Sequence, residues 1–245
     1  MLGPMYEERA SRVRGAVAWT RAAAPPGTTG RVLPDGCMDL LLWNGELVVA
    51  GPDTRAHLAV ERRGLPVYGL RLPPGAGPEV FGAPAWQLRD QRVPLDALWP
   101  AAAVRTLGER MGERIDRAAD PLAELESAAA VRLAGRYGTA GGRRDAALLE
   151  TVVARLRGGA GVAPTARYVN LSERQLYRRC RDAFGYGPKT LARVLRMQRA
   201  LRMAASGVPL AETALRTGYA DQAHLSREVR ALAGVPPAEL VRGWG

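Results

Sequence analysis

At 245 residues the chain can bury the core of one large domain or two ordinary ones, and 35 basic against 24 acidic residues leave a net charge of +11. Two cysteines, Cys37 and Cys180, are too few for a disulfide framework or a zinc site and read as independent free thiols. Glu7, Glu8 and Arg9 stand where a signal peptide would be apolar, and the sequence has no run of membrane-spanning length, so a cytoplasmic protein without membrane association is expected.

The first hundred residues are punctuated by Pro and Gly and carry short apolar runs, which favours strands. Met38 to Trp43 and Glu46 to Ala50 flank Asn44-Gly45, the pair that best tolerates the two positive φ angles of a tight hairpin turn. Further strands are predicted at Arg14 to Thr20 and Pro66 to Leu72, giving a small sheet or barrel. From Leu95 the spacing turns helical, over Ala101 to Met111 and Pro121 to Leu133, with Asp120 as a cap. The glycines of Gly135 to Arg144 read as a flexible linker. The expected fold is thus an α+β N-terminal half, residues 1–134; a linker, 135–144; and an all-α C-terminal half, 145–245.

Positive charge concentrates in that last part. Residues 145–245 hold 16 basic against 8 acidic residues, residues 1–144 hold 19 against 16, and only Lys189 among all the basic residues is lysine. Such a field attracts polyanions, of which nucleic acid is the commonest, and guanidinium suits phosphate and guanine edges.

The same stretch repeats itself. Leu176, Arg178, Gly185, Pro188 and Leu191 recur 49 positions later as Leu225, Arg227, Gly234, Pro237 and Leu240. Ahead of each copy a small residue precedes a turn-former by four positions, Ala166 with Asn170 and Ala214 with Gly218, so two helix-turn-helix units in tandem are predicted. In the first unit Ser172 caps a helix over Glu173 to Phe184; Leu176, Cys180 and Phe184 face inward, while Arg174, Tyr177, Arg178 and Arg181 share another face. These four and Gln175 are the candidate DNA contacts of the first unit. In the second unit Asp221 is the cap, Leu225, Val229 and Leu232 face inward, and Gln222, Ala223, His224, Ser226 and Arg227 are the candidates, since Gln pairs with adenine, Arg with guanine and Ala touches a thymine methyl. Lys189 to Ala205 is predicted as a connecting helix that fixes the spacing of the readers, its Arg193, Arg196, Arg199 and Arg202 either meeting phosphate or lying in water.

These residues resemble a known family. Gly218-Tyr219-Ala220-Asp221-Gln222-Ala223-His224-Leu225-Ser226-Arg227 with Gly234-Val235-Pro236-Pro237, and Leu171-Ser172-Glu173-Arg174-Gln175-Leu176-Tyr177-Arg178-Arg179, look like the signatures of the AraC/XylS transcription regulators. The resemblance covers about residues 145–242. It implies a seven-helix DNA-binding domain with Arg178 and Arg227 at positions that often meet DNA. Asn170 stands where glycine is customary, and Cys180 where an aromatic is usual, which would loosen packing. Arg31 to Trp99 is similar to an uncharacterised domain found ahead of this module, on the strength of Pro34-Asp35-Gly36-Cys37-Met38-Asp39-Leu40 and Gly69 to Gly75, and this resemblance implies that residues 1–134 sense a ligand or mediate dimerisation.

In the front half Trp19, Trp43 and Tyr68 are candidate pocket walls, and Arg71, on an otherwise apolar strand, is the candidate partner of a ligand carboxylate. Asp35-Gly36 reads as a turn, and Cys37 as a buried, inert thiol rather than a redox sensor. No catalytic residue, metal ligand or cofactor site is expected. The reading is a DNA-binding regulator with double-stranded DNA and a small-molecule effector as partners, a homodimer and contact with RNA polymerase being compatible with it. The alternative is a front-domain enzyme tethered to DNA by the C-terminal helices; a DNA-repair protein would need a cysteine cluster that one front-half cysteine does not supply.

Overall fold

Short strands separated by glycine turns lead into helices, as alternating apolar residues give way to helical spacing. The computed structural model describes residues 6–242. The strands are β1 (Tyr6–Ala10), β2 (Val17–Arg21), β3 (Thr29–Val32), β4 (Asp39–Trp43), β5 (Glu46–Ala50), β6 (His57–Val60) and β7 (Val67–Arg71); a short helix α1 (Gly77–Phe81), strand β8 (Arg92–Pro94), and helices α2 (Ala101–Asp116) and α3 (Leu122–Gly138) follow. Six strands form one antiparallel sheet in the order β1-β2-β7-β4-β5-β8, and β3 pairs with β6 as a separate ribbon. Asn44 and Gly45 turn the β4–β5 hairpin at φ of 54° and 79°. Asp120 accepts a hydrogen bond from the Leu122 N–H at 2.9 Å and so caps the start of α3.

The sheet has two different faces, set by the period of two along each strand. Ala18, Leu40, Leu42, Leu47, Val49, Tyr68 and Leu70 point into a core completed by Val80 and Phe81 of α1, Leu107 and Met111 of α2, and Leu125, Ala129 and Leu133 of α3. The alternate residues, Trp19, Arg21, Asp39, Leu41, Trp43, Ala50, Val67 and Arg71, face a cavity on the other side. Trp19, Gly69 and Leu41 lie in register across β2, β7 and β4. A Cβ on Gly69 would sit 2.2 Å from the Trp19 ring, so the missing side chain is what lets the indole lie flat on the sheet.

The segment Gly135 to Arg144 is not the flexible linker expected from its glycines. Helix α3 runs through to Gly138, and α4 (Ala140–Arg157) starts after the single non-helical residue Thr139, whose hydroxyl accepts from the Gly142 N–H at 3.0 Å. A Cβ on Gly142 would lie 2.5 Å from the Gly135 carbonyl oxygen, so that glycine serves close approach at a sharp reversal rather than freedom of the backbone.

Six more helices complete the C-terminal part: α5 (Val162–Tyr168), α6 (Glu173–Phe184), α7 (Pro188–Ala205), α8 (Leu210–Thr217), α9 (Gln222–Ala233) and α10 (Pro237–Arg242). With α4 they make the seven helices the resemblance implies. Two cores share α7, one formed by Leu176, Cys180, Phe184, Leu191, Val194 and Leu195 among others, and one by Met197, Ala200, Leu201, Leu225, Val229 and Leu232 among others. Cys180 is completely buried in the first of these. Among the described residues no helix is long and apolar enough to cross a membrane.

Gly69→Ala should force the Trp19 ring off the sheet and lower stability by about 1–3 kcal/mol, as overpacked sites do, measured by urea denaturation. Unchanged stability would show that the indole does not depend on this notch.

Candidate nucleic-acid interface and the cavity behind it

Each candidate reading helix, α6 and α9, is set by a turn and a cap written in its local sequence. Asn170, at φ 55°, and Gly218, at φ 81°, make the left-handed reversals before α6 and α9, where Ala166 and Ala214 are small enough to be buried at the crossings. Ser172 accepts from the Gln175 N–H at 3.2 Å while Gln175 Oε1 accepts from the Ser172 N–H at 2.8 Å, a reciprocal cap. Asp221 Oδ1 accepts from the His224 N–H at 2.6 Å and caps α9. Glycines at φ 82° and 78°, Gly185 and Gly234, stop the two helices.

The outward faces sort the sequence candidates. Arg174 and Arg178 on α6 and Arg227 on α9 are exposed and have no ion-pair or hydrogen-bond partner among the described residues. Tyr177 is 54% exposed and lies across the backbone of Gly187. Gln222 and Ala223 are exposed in the first turn of α9, with Ser226 half-buried beside them. Three other candidates are committed elsewhere. The Gln175 amide oxygen is used in the cap. The Arg181 guanidinium sits 5.1 Å above the ring of Trp86, in the front half, with Asp182 at 3.6 Å. His224 Nδ1 accepts from the Ala220 N–H at 3.3 Å, and its ring meets Tyr219 edge-on.

Most of the α7 arginines predicted to meet phosphate or water are internal fasteners. Arg193 makes two hydrogen bonds to Glu228 of α9, at 3.0 and 3.1 Å, and Arg196 reaches the same carboxylate at 3.5 Å while stacking on Tyr219. Arg199 donates to the Arg216 carbonyl at 3.0 Å. Burial alone would raise the pKa of Glu228, but the hydrogen bonds and charge of Arg193 and the charge of Arg196 take it below the usual carboxylate value.

The front half grips this assembly from behind. The Ala56 N–H and Arg31 donate to the carbonyls of Leu232 and Ala233 at the end of α9, at 2.6 and 2.8 Å, and Arg89 donates to the Gly185 carbonyl after α6 at 3.4 Å. These donors satisfy carbonyls at the negative ends of the two helices. Gln198 of α7 donates to the Pro34 carbonyl at 2.6 Å. The outer faces of the first two turns of α6 and α9, which carry most of the candidate base contacts, are not covered by the front half.

Between the grip and the sheet lies a cavity of about 420 Å³. Trp19, Trp43, Leu41 and Val67 form its floor, and Arg157 of α4 with Leu195, Gln198 and Arg202 of α7 close it from the helical side. Arg71 does line it, but its charge is taken up by Asp35 at 3.2 Å, Glu8 at 3.0 Å and Asp39 at 3.8 Å, so it is not the open carboxylate partner expected from its apolar strand. Burial works against the Arg71 charge, and the carboxylates of Asp39 and Asp35 outweigh it. Tyr68 faces the opposite side of β7 and packs on the core, because it is odd by one in register with Trp19. Cys37 is half-buried at the cavity wall, and burial together with Asp35 pushes its thiol pKa well up. Arg157 and Arg202 were not foreseen as cavity residues; nothing local to either marks it.

Two family models match separate parts of the chain. Residues 165–243 match the family model described as a helix-turn-helix domain, and residues 16–94 match one described as a domain of unknown function, DUF6597. No curated protein matches the sequence. Among solved structures, ToxT from Vibrio cholerae O395 is similar over 98% of this chain and 99% of its own at 8% identity and a TM-score of 0.50. An AraC-type transcriptional regulator from Chromobacterium violaceum covers 44% of this chain and 97% of its own, at 22% identity and a TM-score of 0.39. The C-terminal domain of AraT from Geobacillus stearothermophilus covers 37% and 84%, at 26% and 0.33. The chain therefore carries an AraC-type helix-turn-helix domain, the DNA-binding module of transcription regulators, behind a DUF6597 domain.

Glu228→Gln should loosen α9 from α7 and cost about 1 kcal/mol near neutral pH. Because the folded pKa is lowered, the wild-type advantage is full above the unfolded value and is lost as pH falls through the folded one. Denaturation of both proteins at pH 7 and at about pH 3 checks this; an advantage that persists unchanged in acid would contradict the ion-pair account.

Proposed function

We propose that the protein is a sequence-specific transcription regulator that inserts α6 and α9 into two successive major grooves and responds to a small-molecule effector bound in the front half. The observation that carries this reading is the pair of capped helices on one shared rod, each with its first turn exposed and an unpaired arginine, Arg178 or Arg227, on the outer face. Arg174, Tyr177, Gln222, Ala223 and Ser226 complete the reading surface, with Arg181 and His224 at its margins. Trp19 and Trp43 remain candidate ligand contacts.

Control by an effector is favoured by the position of the cavity, which is walled by the sheet on one side and by α7, the helix common to both units, on the other. ToxT, similar in fold, is described as bound to (E)-4-(8-methylnaphthalen-1-yl)but-3-enoic acid. The regulator works in the cytoplasm, on nucleoid DNA.

Selection of bound duplexes from a random pool at fixed near-physiological salt tests the reading, because the ionic part of binding is salt-sensitive. The full chain should enrich a motif in two parts. Arg178→Ala and Arg227→Ala should each relax one part and cost about 1–3 kcal/mol on the selected site. Uniform weakening on all sequences would reduce both arginines to phosphate contacts and refute base reading.

A further inference from the structure

The helical wall of the cavity carries positive charge that no neighbouring carboxylate among the described residues takes up. Arg21, Arg71 and Arg92 each sit against carboxylates, namely Glu61, the Asp35, Asp39 and Glu8 group, and Asp53. Arg157 and Arg202, both exposed to solvent at the cavity rim, have neither a carboxylate nor a carbonyl partner among the described residues, although both line the same space. Arg157 ends α4 and Arg202 lies in the last turn of α7, where a cation is favoured by the helix dipole alone. That explains one cation at one helix end. It does not explain two helix ends directing like charges into one cavity, close enough that Arg157, after burial, lowers the proton affinity of Arg202.

The opposite wall carries an aromatic, apolar patch among charges that are paired with one another. The Trp19 indole N–H donates to Asp39 at 2.9 Å and that of Trp43 to Glu61 at 3.4 Å, so the polar edges of both rings are occupied. Beside them Leu41 and Val67 face the cavity, together with Arg21, Asp39 and Arg71, whose charges are taken up by one another and by Glu61, Asp35 and Glu8. A volume of about 420 Å³ suits a small organic ligand rather than a peptide or a bare ion.

We propose that the cavity binds a small aromatic carboxylic acid, its carboxylate held between Arg157 and Arg202 of the DNA-binding half and its ring laid on the Trp19–Trp43 floor of the front half. The proposal rests on the effector-responsive reading above and gives it a chemistry. Arginine forks hold carboxylates bidentately, and stacking on the tryptophans supplies the rest. Such a ligand touches both halves at once, so its binding energy depends on the pose of α7 relative to the sheet, and through α7 it bears on both reading helices.

The test is calorimetric titration of the full chain with phenylacetate and phenylbutyrate, beside phenylacetamide and octanoate, to about 10 mM. The two aromatic acids should bind, the neutral amide and the aliphatic acid at least tenfold more weakly. The double variant Arg157→Gln/Arg202→Gln should lose roughly ten- to hundredfold in acid affinity. Without ligand its melting temperature should be unchanged or higher, since a like-charge repulsion is removed. No binding of either acid, equal binding of the amide, or an unaffected double variant in a folded protein would overturn the proposal; octanoate binding as tightly would overturn its aromatic part. The operator selected above separates this from the parent reading. Acid binding that leaves DNA affinity unchanged keeps the site and removes effector control, whereas a DNA response driven only by neutral compounds keeps effector control and removes the anion site.

Discussion

The arrangement depends on the burial of two successive stretches of one helix in two different cores. Leu191, Val194 and Leu195 of α7 hold the first helix-turn-helix unit, and Met197, Ala200 and Leu201 hold the second. Eighteen residues of continuous helix span about 27 Å, and the helix has no glycine or internal proline at which it could bend. Each reader is therefore placed relative to the other by side-chain packing on a rigid rod, not by a loop. The bonds from Arg193 and Arg196 to Glu228 and from Arg199 to the Arg216 carbonyl add orientation to a position already fixed by apolar burial.

From that constraint the role of the front half follows. It meets the rod at Gln198 and the trailing ends of both reading helices at Gly185, Leu232 and Ala233, leaving their leading turns exposed. The face of the sheet turned toward α7 is the one that β-strand alternation strips of core duty, which is why it can line a cavity. Its other face is packed on α1, α2 and α3. Sheet, cavity and rod thus lie in series, with the cavity beside the helix that anchors both helix-turn-helix units.

What was legible in the sequence was what local physics decides. Positive φ at Asn44, Gly45, Asn170 and Gly218, and caps at Ser172, Asp221 and Asp120, need only near neighbours, and the repeat at 49 residues announced the two units. What was missed depends on distant segments. Tyr68 and Trp19 are equally plausible pocket aromatics until strand register assigns each a face. Arg71 looked open because the carboxylates that neutralise it, Glu8, Asp35 and Asp39, come from other strands and turns. Arg181 reads as a groove residue until Trp86 is brought over it, and Arg157 becomes a cavity residue only when α4 packs beside α7. The glycines at 135–142 misled for a different reason: composition cannot distinguish a glycine that frees the backbone from one, like Gly142, that lets two helices meet.

The central claim is that one rigid helix sets the separation of two readers. Hydroxyl-radical footprinting of the full chain on a selected duplex measures it most directly. The account predicts two windows of protection on one face of the DNA, separated by about 10 base pairs and keeping that spacing across different bound sequences. A single window, or two whose separation varies from site to site, would contradict it.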